Sequence, residues 1–153
     1  MTFQAKKTFL VFTVLLLGVA VTSPAFAATT TCGVSASSID FGSYRGSSAN
    51  ALDGVGTITV SCNQPPTGAV LVIGKGGSGT YYQRRMTAGT NILEYNLFTS
   101  AARTSVWGEG GASGTTVVPI SGSGAYTVYG RVFGAQKVPV GSYSDVVVVT
   151  LTY

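Results

Sequence analysis

The sequence predicts an all-β protein, a sandwich of short strands. Three observations carry that reading. Seven or eight apolar runs of strand length alternate with turn-rich segments. Glycine is abundant, 21 of 153 residues, and it concentrates between those runs. Beyond the first residues, no stretch keeps a 3.6-residue apolar period for three turns, as an amphipathic helix would.

The strands can be taken in order. Gly33 to Gly42 is a weak strand with Val34, Ile39 and Phe41 as its apolar points, and Ser43 to Asp53 reads as a loop. Gly54 to Cys62 is a strand with Gly56, Ile58, Val60 and Cys62 on one face. Pro65-Pro66 marks a turn, and Ala69 to Ile73 is a short apolar strand expected to be buried on both faces. After the glycine-rich loop Gly74 to Gly79, Arg84-Arg85 reads as a solvated turn leading into the strand Ile92 to Phe98. Val106-Trp107 enters a second glycine-rich loop. Thr115 to Ile120 is a strand that Pro119 assigns to an edge or a bulge. Tyr126 to Phe133 is a strand, and the chain closes on the clearest one, Gly141 to Tyr153. In it Val147, Val149, Leu151 and Tyr153 share one face, while Val146, Val148, Thr150 and Thr152 share the other. An apolar last strand with no successor needs cover, from earlier in the chain or from another molecule.

The first residues belong to no fold. Lys6 and Lys7 precede the apolar run Phe9 to Leu17, Pro24 interrupts it, and Ala25-Phe26-Ala27 has the small-residue form of a cleavage site. The expectation is a secretory signal peptide over residues 1–27 and a single domain over 28–153, so the protein is exported. A cut after Ala20 is the alternative. Part of the net charge of +4 lies in the leader, and what remains forms no basic cluster of the kind that binds nucleic acid. An exported chain with a single cysteine pair implies one disulfide, Cys32–Cys62.

Several segments together resemble a known family. They are Cys32 with Asp40-Phe-Gly-Ser-Tyr44, then Val60-Ser-Cys62, then Tyr95-Asn-Leu-Phe-Thr-Ser-Ala-Ala-Arg103. Val106-Trp-Gly108, Tyr129-Gly-Arg131 and Pro139-Val-Gly-Ser-Tyr-Ser-Asp145 complete the set, and their order and spacing carry the resemblance. The set resembles the spore coat protein U domain, which includes subunits of archaic, Csu-type chaperone–usher pili. The resemblance implies an incomplete immunoglobulin-like sandwich of about seven strands, completed by a donated strand. A periplasmic chaperone fills the gap first, and another pilus subunit replaces it at the outer-membrane usher. The subunit then passes from the periplasm to the cell surface. On that reading Val147, Val149, Leu151 and Tyr153 line the strand-acceptor groove. One departure stands out. Only Ala28-Thr-Thr-Thr31 precedes Cys32, too short and too polar for a donor strand, so the chain fits a tip or cap position.

Candidate chemistry is sparse. The absence of histidine removes Ser–His and Cys–His nucleophiles, and two cysteines alone make no zinc site. Glu94 and Glu109 are unconvincing as a glycosidase pair. The Gly74 to Gly79 loop lacks the Lys-Ser/Thr ending of a phosphate-binding loop. The expectation is therefore a non-enzymatic protein with no cofactor. Tyr81, Tyr82 and Trp107, placed in loops, are candidates for contact with a sugar or an apolar surface. Two rival readings remain: a self-complete carbohydrate- or surface-binding module, and a structural protein of a spore coat or matrix.

Overall fold

The computed structural model describes residues 28–46 and 48–153, so the expected leader lies outside the described residues. Eight strands form two antiparallel sheets, β1 (Cys32–Ala36), β2 (Leu52–Cys62), β3 (Ala69–Ile73), β4 (Arg84–Ala88), β5 (Asn91–Phe98), β6 (Val118–Ile120), β7 (Gly124–Val132) and β8 (Val149–Thr152). The large sheet has the order β1-β2-β7-β5-β4, and the small one β6-β3-β8. Side chains from the two inner faces meet in one core around Ile58, Val60, Leu71, Ile73, Leu97, Val128 and Val132.

Strand β2 follows the expected alternation, with Gly56, Ile58 and Val60 inward and Thr57 and Thr59 outward. Cys32 stands directly opposite Cys62, and the two are bonded, so β1 is stapled to the end of β2. Pro119 lies in β6, an edge strand, where its missing N–H costs no ladder bond.

Four expectations need correction. The first strand stops at Ala36 rather than Gly42. There Asp40 folds back to accept the Gly42 N–H, and Gly42 takes a φ of 70°, which ends extended pairing. Strand β3 is buried on its inner face alone, because Val70 and Val72 on the outer side are half-exposed. Arg84-Arg85 is no solvated turn: Arg84 opens β4, which forms a hairpin with β5 through Gly89 at φ 61°. The last strand is shorter than its sequence suggests, with four residues in the ladder to β3. Upstream, Ser144 leaves the small sheet and makes a two-bond bridge to Thr87 on β4.

Candidate functional site: a trough between β1 and β8

The two edge strands nearest one another across the sandwich, β1 and β8, do not pair. Each is the open edge of its own sheet. Between them runs a trough, walled on one side by β1 and residues 37–46 and on the other by residues 138–149. It consists of two hollows, of about 490 and 880 Å³, whose linings share Ile39, Phe41, Met86 and Tyr143. The floor of the smaller hollow is the core itself: Ile58, Ile73, Tyr95, Leu97 and Val128. At the far end Tyr153 narrows the gap, its hydroxyl accepting the Cys32 N–H at 3.1 Å.

Burial is uneven along the walls. Val34 faces Val60 across the ladder and so points to the same, inner side. Val60 is 1% exposed, yet Val34 is 41% exposed. The same mismatch recurs on β8. Leu151 and Val149 sit opposite Leu71 and Ile73, which are fully buried, but are themselves half-covered, as is Val147. The outward residues Val146 and Val148 are 85% and 66% exposed, which preserves the alternation read from the sequence.

Backbone polarity tells the same story. Gly74 donates its N–H to the Val148 carbonyl, so Val148 and Thr150 turn their peptide groups toward β3. Val147, Val149 and Leu151 then turn theirs to the open side. On the opposite wall Ser37 donates to Thr57, so Ala36 and Val34 turn their peptide groups away from β2 and into the gap. The trough is thus bordered by two unpaired strand edges with partly covered apolar side chains.

The wall formed by residues 37–45 is held by shape. Ile39 and Phe41 lie on a bed of glycines: a Cβ on Gly56 would stand 2.6 Å from Ile39 Cγ1, and one on Gly130 2.7 Å from Phe41 Cε1. Gln136 adds a 2.7 Å bond from its backbone N–H to the Tyr44 hydroxyl. The other wall is held by polar groups. Tyr95, buried in the floor, donates its hydroxyl to Asp145 Oδ2 at 2.7 Å, while Asp145 Oδ1 accepts the N–H groups of Gly77 and Val146 at 2.9 Å each. Burial first, and then the bond to Asp145, push the Tyr95 phenol well above its usual pKa, so it stays a donor. The Gly74 to Gly79 loop thus gives one N–H, that of Gly77, to the Asp145 side chain.

Behind this wall stands Arg84, fully buried, and among the described residues no carboxylate forms a salt bridge with it. Its guanidinium donates to the carbonyls of Ile73, Gly74 and Trp107 and to Asn96 Oδ1. Burial pulls its pKa down, yet a guanidinium starts so high that it remains a cation. Through Gly74, whose N–H holds Val148 and whose C=O takes Arg84, this cation ties β4 to the β8 side of the trough. Sequence reading missed it, because a basic pair beside a glycine-rich loop looks like surface. The one available hint was Asn96, a polar residue at an otherwise apolar stretch of β5.

The candidate contact aromatics divide. Trp107 is 1% exposed and donates its indole N–H to the Leu71 carbonyl, and Tyr81 is buried under its own loop, so neither offers a surface. Tyr82 alone, 54% exposed, remains open to contact. The two glutamates have local partners: Glu94 lies 3.7 Å from Arg85, and Glu109 adjoins the Tyr81 hydroxyl. Among the described residues no group of three or more acidic, cysteine or histidine side chains could hold a metal.

Comparison with known proteins matches the Spore Coat Protein U domain over residues 18–150. The chain belongs to the Spore Coat Protein U domain family. A curated relative, Protein U of Myxococcus xanthus, is 31% identical over 134 residues, covering 79% of this chain and 74% of that protein. Among solved structures, a chain of the CsuC–CsuE chaperone–tip adhesion subunit pre-assembly complex, from the archaic chaperone–usher Csu pili of Acinetobacter baumannii, superposes at a TM-score of 0.53. It shares 20% identity over 82% of this chain, and the present chain spans 40% of that longer one. The E. coli Hda pilus minor tip subunit HdaB superposes at 0.44, with 21% identity over 78% of this chain and 79% of its own. The likeness to the Csu complex identifies the Spore Coat Protein U fold seen here as an immunoglobulin-like sandwich, as the sequence resemblance implied.

Proposed function

We propose that this protein is an exported, non-enzymatic structural subunit of a chaperone–usher surface fibre, and that the trough between β1 and β8 receives a strand from another chain. The observation that carries the proposal is the burial mismatch across two ladders: Val34 against Val60, and Leu151 and Val149 against Leu71 and Ile73. A periplasmic chaperone fills the trough during transit, and another subunit's strand replaces it at the outer-membrane usher. The family and the fold likeness support this reading, since the similar complex pairs a pilus tip subunit with its chaperone.

A tip or cap position is part of the proposal. The residues just ahead of β1 are pinned to their own domain, as Asn63 accepts the Thr31 N–H, donates to the Thr29 carbonyl, and gives its backbone N–H to Thr31. A segment held in this way is a poor donor. The coat or matrix reading shares the fold and has the family's description on its side.

The test is expression in the periplasm with and without a co-expressed chaperone of the archaic chaperone–usher type. The expected outcome is a soluble one-to-one complex in its presence and loss of the subunit to aggregation or proteolysis in its absence. Equal yields of soluble monomer in both cases would favour a self-complete module. A protein that stays free of fibres but cross-links into spore or matrix material would favour the coat reading.

A further inference from the structure

The last segment of the chain poses a register problem. Val146 to Val149 are four identical residues, and β8 is paired along one edge only. A slip of one residue would turn Thr150 and Thr152 into the core, so the threonines discriminate against it. A slip of two residues keeps the apolar face inward. Opposite Leu71, Leu151 would give way to Val149 or Tyr153, and opposite Ile73, Val149 would give way to Val147 or Leu151. The bonds from Gly74 to Val148 and between Thr87 and Ser144 use backbone atoms, which any residue in the slipped position would supply.

We propose that Asp145 is the positioning residue that sets the register of β8, and with it the phase of the strand-acceptor edge. Its carboxylate is tied to two separate elements, to Tyr95 on the floor at 2.7 Å and to Gly77 in the glycine-rich loop at 2.9 Å. A two-residue slip would carry it about 6.6 Å along the strand axis. Both bonds would break, and the buried Tyr95 hydroxyl would be left without its acceptor, which the interior penalises. Tyr153, bonded to the Cys32 N–H, is a second pin at the opposite end. Asp145 thus does for the valine run what its own side chains cannot: it makes one of several apolar registers unique. The proposal rests on the strand-acceptor reading in one respect, that the register matters because the free edge of Val147, Val149 and Leu151 is where a partner strand would pair.

Disulfide trapping in the otherwise full-length exported protein reads the register directly, because both native cysteines are already bonded to each other. Val72 stands opposite Thr150, and both side chains point outward. With Asp145 intact, the pair Val72→Cys/Thr150→Cys should couple under mild oxidation, while Val72→Cys/Val148→Cys and Val72→Cys/Thr152→Cys stay as free thiols. In an Asp145→Ala background, coupling at 72/150 should fall several-fold and coupling at 72/148 or 72/152 should rise. Asp145→Ala protein that still couples at 72/150 alone would overturn the proposal. So would a rise at Val72→Cys/Val149→Cys equal to that at 72/148, since Val149 gains by general loosening or a one-residue slip and not by the two-residue slip proposed. Should Asp145→Ala fail to accumulate, Tyr95→Phe removes the bond to the floor and the penalty of an orphaned hydroxyl, and coupling should shift the same way by a smaller amount. No partner strand takes part in this measurement, so its result is independent of whether the trough is ever filled.

Discussion

Arg84 shows how much of this fold depends on a single side chain. Its donors serve three backbone carbonyls and one amide oxygen in a site closed to water, so removing them leaves several buried acceptors unsatisfied. Lysine keeps the charge but not the planar fork. Arg84→Lys should therefore cost about 2–4 kcal/mol, measured as a lowered denaturant midpoint with an unchanged slope. Trp107→Phe keeps most of the apolar contact but loses the indole bond to the Leu71 carbonyl, and should cost about 0.5–1.5 kcal/mol in the same assay. Gly56 and Gly130 act by lacking atoms. Alanine at either position would push Ile39 or Phe41 off the glycine bed, so Gly130→Ala should destabilise the domain by about 1–3 kcal/mol and shift the wall of the trough. A midpoint equal to wild type would mean that residues 37–45 give way freely.

At the scale of elements, the disulfide joining β1 to β2 is the staple that keeps one trough wall in place. It closes a separation of 30 residues, for which the chain-entropy model gives about 3–4 kcal/mol. Replacing both cysteines by alanine should lower stability by that amount, and calorimetry of the paired variant checks it. Strands β2 and β7 were legible in the sequence because alternation, turns and length agreed in each, while β3 was legible only as a short apolar run, which hid that its outer face is half-exposed. Strand β4 was not, since Arg84 and Met86 share its buried face and an arginine is a poor advertisement for a core position. In and just before β8, the inward residues Val147, Val149 and Leu151 could be read from their period. Yet periodicity says which residues share a face and nothing about where a ladder ends. The departure of Ser144 to Thr87 depends on a hairpin partner that the sequence did not reveal. The trough's lining from residues 37–46 was equally hidden, because it follows from glycines on two different strands being brought side by side.

At the scale of the whole molecule, the trough between β1 and β8 is the proposed seat of a donated strand. The inward side chains along it are half-covered, so completing the sandwich recovers less than full burial would give. With about 1 kcal/mol apiece for Val34, Val147, Val149 and Leu151, the gain is a few kcal/mol, before any ladder bonds are counted. That is a large share of the 5–15 kcal/mol typical of a domain. The most direct test is equilibrium unfolding of the exported protein with and without an alternating apolar strand fused after Tyr153 through a short flexible linker. The account predicts that the fused strand raises stability by at least roughly 3 kcal/mol, and that Val149→Asp, which places a charge in the filled slot, removes the gain. A cooperative transition unchanged by any fused strand would contradict it, because the sandwich would then be complete without a partner.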